Sequence, residues 1–196
     1  MILCDWQIDE LARTRKMIDP FVNHQVTVNE KGNPVVSYGL SSFGYDMRIA
    51  DKWKVFVKSR HKYYNIKKPD DEMIVDIKST PSTAIHLPVG GFILGHSVER
   101  FKIPRNVMAI VLGKSTYARA GIIVNVTPLE PGWEGHVTIE ISNTNTVPVT
   151  IYGNEGIAQV VFYQGEQPHV SYNDRNGKYQ NQSSEVVTAR MKGTGN

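Results

Sequence analysis

The sequence predicts a mostly β protein, an antiparallel sandwich or barrel, on three observations. About ten short runs rich in β-branched and aromatic residues follow one another along the chain. Clusters of Gly, Pro and Asn separate those runs at turn-like intervals. Only one stretch, near the start, has a helical pattern, whereas alternating β–α units would need an amphipathic helix between successive strands.

The elements follow in order. Asp5 can cap a short helix running to about Arg15, with Ile8, Leu11 and Ala12 on one face. "IDP" closes that segment at Pro20, because the residue before a proline is driven out of helical backbone. The strand runs are then "QVTVNE", "NPVVSYG", "YDMRIA", "KWKVFV", "AIHLPV", "GFILGHSVE", "NVMAIVLG", "GIIVNVT", "GHVTIEIS", "VPVTIYG" and "GIAQVVFYQ". Residues 59–72 are polar and read as a surface excursion. From residue 165 onward the chain is rich in Gly, Asn, Gln and Ser and has no periodicity, so 165–196 reads as a mobile arm on one domain spanning 1–196. Tyr172, Lys178, Tyr179 and Gln182 give that arm aromatic and cationic groups able to close over a ligand.

With 196 residues, 40% hydrophobic and 21% charged, the chain can bury one sizeable core. A net charge of +3 is too mild for wholesale nucleic-acid binding and suits an anionic small molecule held by a few local cations. No stretch has the apolar core of a secretory leader or the roughly 20 apolar residues of a membrane span, so a cytoplasmic protein without a membrane partner is expected. The single cysteine, Cys4, excludes an internal disulfide and a multi-cysteine metal site. The histidines His24, His61, His86, His96, His136 and His169 form neither an HExxH motif nor a zinc spacing, so no zinc and no metal held by protein side chains are expected.

"LGKSTYARAG", residues 112–121, looks at first like the end of a nucleotide P-loop. That loop needs a second glycine five positions before Gly113, since it wraps phosphate with bare backbone N–H groups, and position 108 is Met. A different chemistry must explain the cluster. In "GHVTIEISN", strand alternation sends Val137, Ile139 and Ile141 to one face and Thr138, Glu140 and Ser142 to the other. The Pro- and Gly-broken loop after "IIVNV" is expected to bring Thr127, Pro128 and Glu130 near Ser115 and Arg119. Together these residues supply a carboxylate to take a proton from water, a cation for developing charge and hydroxyls to hold a target. The same residues read equally as capped loops beside an exposed salt bridge, with Glu140 merely solvated.

The run from "IPRNVMAIVLGKSTYARAG" through "IAQVVFYQ", with "SYGLSSFGYDMR" at 37–48 and "SYNDRNGKYQNQ" at 171–182, resembles the deoxycytidine triphosphate (dCTP) deaminase family of the dUTPase-like β-barrel superfamily. The resemblance covers most of the chain from residue 17 and keeps the family's order. It implies hydrolysis of the cytosine 4-amino group to give dUTP and ammonia without zinc; the H-x-E and P-C-x-x-C signature of the zinc deaminases is absent. It puts the family's catalytic glutamate on Glu140, with Ser115 and Arg119 close to the chemistry. It puts the nucleotide turn on Lys114, Ser115, Thr116, Tyr117, Ala118 and Arg119, Lys114 and Thr116 facing phosphate. Thr127, Pro128 and Glu130 then line the base and sugar pocket, with Thr138, Ile139, Gln159, Tyr172, Lys178 and Gln182 as further contacts.

The resemblance also implies a homotrimer with sites between subunits, Mg2+ carried on the triphosphate, and dTTP as a candidate end-product inhibitor. Two departures, Gly132 in "PGWEG" where many relatives have Glu and Ala120 where Cys is frequent, bear on selectivity, and the tail "SSEVVTARMKGTGN" matches less closely. A dUTPase or bifunctional deaminase, a binding protein without catalysis, and a deaminase preferring dCMP are the competing readings.

Overall fold

The computed structural model describes residues 1–57, 63–69, 71–78 and 84–191. Residues 59–62 and 70 of the expected surface excursion, and 192–196 at the end of the arm, lie outside the described residues.

Helix α1 (Asp5–Arg15) begins one residue earlier than the acid suggests. Cys4 occupies the cap position in extended backbone, its N–H donating to Gln7 Oε1 at 3.1 Å, while Asp5 accepts the N–H of Trp6 at 2.8 Å from inside the first turn. Ile8 and Ala12 are buried and Leu11 packs against the core, so the inner face is the expected one. The helix ends at Arg15, where expected, and is capped by Lys16 in left-handed backbone, φ 52°, ahead of Pro20. Met17 and Ile18 are then buried as the chain turns into a strand.

Two antiparallel sheets carry the fold. One contains β2 (Gln25–Val28), β3 (Pro34–Ser41), β4 (Gly44–Arg48), β9 (Val107–Gly113) and β13 (Gly156–Gln164), in the order β2-β3-β4-β13-β9. The other contains β5 (Lys52–Phe56), β6 (Ile74–Lys78), β8 (Phe92–Lys102), β10 (Ile122–Asn125) and β11 (Glu134–Asn143), in the order β10-β11-β8-β5-β6, with the short β1 (Ile18–Asp19) also paired to β8. A small pair, β7 (Ala84–Leu87) with β12 (Val149–Tyr152), completes the strands of the described residues. Strand β6 was not visible in the sequence reading. It is an edge strand whose Val75 and Ile77 remain substantially exposed, so its pattern lacks a clear buried face.

One apolar core joins both sheets. Tyr45 and Met47 of β4 and Val160 and Phe162 of β13 meet Phe101 of β8 and Val137, Ile139 and Ile141 of β11, each nearly without exposure. Burial of each large apolar side chain contributes about 1.5–3 kcal/mol, which makes the inward face of every central strand non-negotiable. Along β11 that requirement yields strict alternation: Val137, Ile139 and Ile141 are buried and Thr138, Glu140 and Ser142 are half-buried on the opposite side. The register of β11 on β8 slips between His136 and Thr138, and Ser97 Oγ of β8 repairs the gap by accepting the Val137 N–H at 2.8 Å.

Residues 165–191 of the arm lie against the body. The Tyr172 N–H donates to Pro131 O at 2.9 Å, the Asn181 N–H to Glu134 O at 2.8 Å, and the His136 N–H to Gln182 O at 3.0 Å. Two glycines make this approach possible. A Cβ on Gly132, at φ +80°, would lie 2.9 Å from Ser171 Oγ, and one on Gly135, at φ +148°, 2.7 Å from the Gln182 nitrogen. The Gly132 departure therefore sits at the contact between body and arm.

Candidate active site

Glu140 stands near the middle of a sheet because β11 pairs on both sides. Asn125 of β10 is its register partner on one side and Leu94 of β8 on the other. The side chain opens into a cavity of about 690 Å³. Phe92, Leu94, Val126 and Trp133 supply apolar wall, Thr138 neighbours Glu140, and the arm supplies Tyr172, Lys178, Tyr179 and Gln182. Burial pushes the Glu140 carboxyl above the ordinary carboxylate range, and a contact from Asn125 Nδ2, 3.5 Å from Oε2, works in the opposite direction. Such an acid has the chemistry to take a proton from water and give it back.

Hydrogen bonds tie the arm to this cavity. The Thr138 hydroxyl donates to Gln182 Oε1 at 2.8 Å, and Trp133 Nε1 donates to Tyr179 O at 2.9 Å. The Tyr179 N–H donates to the Tyr172 hydroxyl at 3.0 Å. Lys178 Nζ lies 4.9 Å from the Tyr179 ring centre and donates to Arg190 O at 2.9 Å, leaving further N–H groups for an anion.

Of the expected site residues, Thr127, Pro128, Glu130, Thr138, Glu140, Tyr172, Lys178 and Gln182 share this one cavity. Glu130 is ion-paired with Arg175 at its rim. Ile139 is fully buried on the opposite face of β11, so its side chain belongs to the core.

The turn 114–119 and Gln159 do not line this cavity. "STYAR" forms a short helix, α2 (Ser115–Arg119), rather than the simple turn expected. Lys114 Nζ donates to Asp46 Oδ2 at 2.6 Å, in a pair almost shielded from solvent. Tyr117 is buried and its hydroxyl accepts the Tyr152 N–H at 3.0 Å, a packing role. Gln159 Nε2 donates to Ser41 Oγ at 3.2 Å. Ser115, Thr116, Ala118 and Arg119 are exposed.

The distance between the two groups follows from register. α2 precedes β10, whose first residue pairs with Asn143, whereas Glu140 pairs with its last residue. At about 3.4 Å per residue the separation along the strand is about 10 Å before the helix itself is counted. The "TPLEP" loop does not fold back on α2 as expected. Leu129 is buried and exchanges two backbone hydrogen bonds of 2.9 Å with Ala109 of β9, which fixes the loop there.

Phe92 and Leu94 of the apolar wall, and Val187, Thr188 and Ala189 of the arm, line the cavity without having been expected there, whereas Trp133 lies in the "TPLEPGW" segment expected to line it. Phe92 and Leu94 alternate within "GFILGHS", so they carried a usable signal. Val187, Thr188 and Ala189 carried none.

Fold and cavity together define the class: an antiparallel β-sandwich holding a desolvated strand acid under an arm with aromatic and cationic side chains. Comparison with known proteins narrows it. A model of the dCTP deaminase-like family matches residues 2–165. A dCTP deaminase of Azotobacter vinelandii is 51% identical over 183 residues, 93% of this chain and 95% of its own. One of Pseudomonas syringae pv. tomato is 53% identical over 182 residues, 92% and 95% of the two chains. A crystal structure of a 2'-deoxycytidine 5'-triphosphate deaminase from Agrobacterium tumefaciens superposes with a TM-score of 0.60 at 18% identity, covering 84% of this chain and 48% of that one. At that identity the likeness speaks for the fold, and the chain spans about half of that protein's length. The chain belongs to the dCTP deaminase-like family.

Proposed function

We propose that this protein hydrolyses the 4-amino group of the cytosine base of dCTP, releasing ammonia and leaving dUTP, as a step toward dTTP precursors in the cytoplasm. The observation that carries the reading is Glu140: a half-buried acid, raised by desolvation, in a cavity of about 690 Å³ that combines an apolar wall with a cationic arm. The dCTP deaminases to which the chain is more than half identical make the same substrate the first choice.

In this reading the pyrimidine lies against the apolar wall and the triphosphate runs toward Lys178. Glu140 takes a proton from a water as the oxygen bonds to C4 of the base. It passes that proton to the ring nitrogen, then takes the remaining proton from the new C4 hydroxyl and delivers it to the amine, so that a carbonyl forms, the C4–N bond breaks and ammonia leaves. No zinc takes part. Thr138 and Gln182, already hydrogen-bonded to each other, hold the sugar side of the cavity.

Ser115 and Arg119 act from a neighbouring copy in a homotrimer. Their exposure supports this, together with the exposed apolar Met108 and Leu112 of β9 and Ile123 of β10, next to α2 in the chain. Mg2+ enters on the triphosphate: the donors at the cavity rim are mainly a lysine, hydroxyls and amides, and the rim carboxylate Glu130 is already ion-paired, a set suited to phosphate oxygens that carry their own cation. The ion's contribution is to neutralise phosphate charge. dTTP, sharing the triphosphate and sugar, competes for the same cavity.

The test is a product assay on dCTP, dCMP, CTP and dUTP that scores ammonia and pyrophosphate separately. Ammonia and intact dUTP from dCTP are expected. Pyrophosphate release would instead establish a dUTPase component, preference for dCMP would move the substrate, and binding without ammonia would leave a nucleotide-binding protein.

A further inference from the structure

A second cleft lies on the other side of the arm from Glu140. Two adjoining hollows of about 360 and 550 Å³ share Arg15, Lys102 and Glu134. Their walls are unusually cationic for a chain of +3. Arg100 is spent on Glu134 and Arg105 on Asp174, but Arg15, Lys16 and Lys102 are exposed and have no side-chain partner among the described residues. Asp19 is the further carboxylate on the wall. Arg105 Nε, on the same wall, is buried without an acceptor. The carbonyl end of α1 adds a partial negative charge, which Arg15 and Lys16 sit where they can offset.

Beside Ile103, Pro104 and Gly132, the arm adds neutral polar side chains to the lining: Ser171, Asn173, Gln180 and Asn181. Cations and amide donors spread over a hollow larger than one phosphate match a row of acceptor-only oxygens. The same arm segment presents Tyr172, Lys178, Tyr179 and Gln182 to the Glu140 cavity. One strip of chain therefore forms a wall of both.

We infer that this cleft is a second, non-catalytic site for an oligophosphate, laid along Lys102 between Arg15 and Arg105, and that its occupation fastens the arm over the Glu140 cavity. The inference concerns binding and does not depend on the reaction proposed above.

Inorganic tripolyphosphate is the probe, titrated calorimetrically into the full chain with sodium chloride at matched ionic strength as control. The Arg15→Gln, Lys102→Gln double variant is expected to weaken tripolyphosphate binding at least about tenfold, as loss of two charge-assisted contacts should. Its melting temperature should be unchanged, since both side chains are exposed. Hydrogen exchange of backbone amides 171–182 should slow on tripolyphosphate addition in the parent and not in the double variant. A dUTP titration of the same pair separates sources: a second equivalent lost in the variant points to a nucleotide tail, its absence beside tripolyphosphate binding to the free ion, and either result supports the site. Unchanged tripolyphosphate affinity in the double variant, loss of it in Lys178→Ala alone, or equal protection by sodium chloride would overturn the inference. Binding without slower exchange in 171–182 would overturn the coupling to the arm.

Discussion

Replacing Glu140 by glutamine keeps the side chain's size and removes its proton chemistry. The half-buried carboxyl shares its cavity with Leu94, Val126 and Trp133, so an isosteric amide should leave the cavity intact. Loss of a positioned proton shuttle costs about 10²–10⁴ in rate, or about 3–5 kcal/mol of barrier. Ammonia release from dCTP should fall by that factor, while dCTP affinity, read by calorimetry, stays within about threefold. Stability provides an independent check on the same residue. A carboxyl raised in the folded state binds more protons folded than unfolded, so its ionisation erodes stability as pH rises from the ordinary carboxylate range through its raised value. Glu140→Gln should therefore be more resistant to urea than the parent at neutral pH, with the advantage vanishing at acid pH. Retention of more than about a tenth of the deamination rate would refute the shuttle. A variant less stable than the parent at neutral pH would refute the desolvated environment on which the argument stands.

Arg119→Ala should slow turnover by about one to two orders of magnitude, the loss of one charge-assisted contact. If sites are shared between copies, co-assembling it with Glu140→Gln should restore about a quarter of parental activity in an equimolar mixture, because one ordered neighbour pair in four is intact; two separately inactive proteins that stay inactive when mixed would rule out sharing. Trp133→Phe removes the donor to Tyr179 O, a loss of about 0.5–1.5 kcal/mol that should raise KM up to about tenfold with kcat little changed. Burial holds the His96 imidazole below its ordinary range, so the folded state takes up fewer protons than the unfolded one. Urea stability should accordingly fall as pH drops below about 6.5, and His96→Gln should flatten that slope.

Legibility in the sequence tracked how local the cause was. The strands from "QVTVNE" to "GIAQVVFYQ" were readable because each is a short run rich in β-branched and aromatic residues, and Gly, Pro or Asn separate most of them. The cap at Cys4 was not, since its partner is the unremarkable Gln7. α2 is too short for a period to show, and β6, at an edge, keeps apolar residues on its exposed side. In the site, the outward direction of Glu140 could be derived from alternation alone. Its company could not: Gln182 reaches Thr138 across 44 positions, and that contact depends on bare backbone at Gly132 and Gly135.

By itself, then, the sequence determined the fold class, the face on which Glu140 stands and, through its motifs, the family. Those properties depend on residues close together in the chain, where strand period and turn chemistry act. Only the tertiary structure decided that the polar arm lies on the body, that Leu129 holds the "TPLEP" loop to β9 away from α2, and that Ser115 and Arg119 do not line the Glu140 cavity of the same chain. Each of these depends on register and long-range backbone pairing, and a one-residue slip in β10 or β11 would turn every side chain in it to the other face.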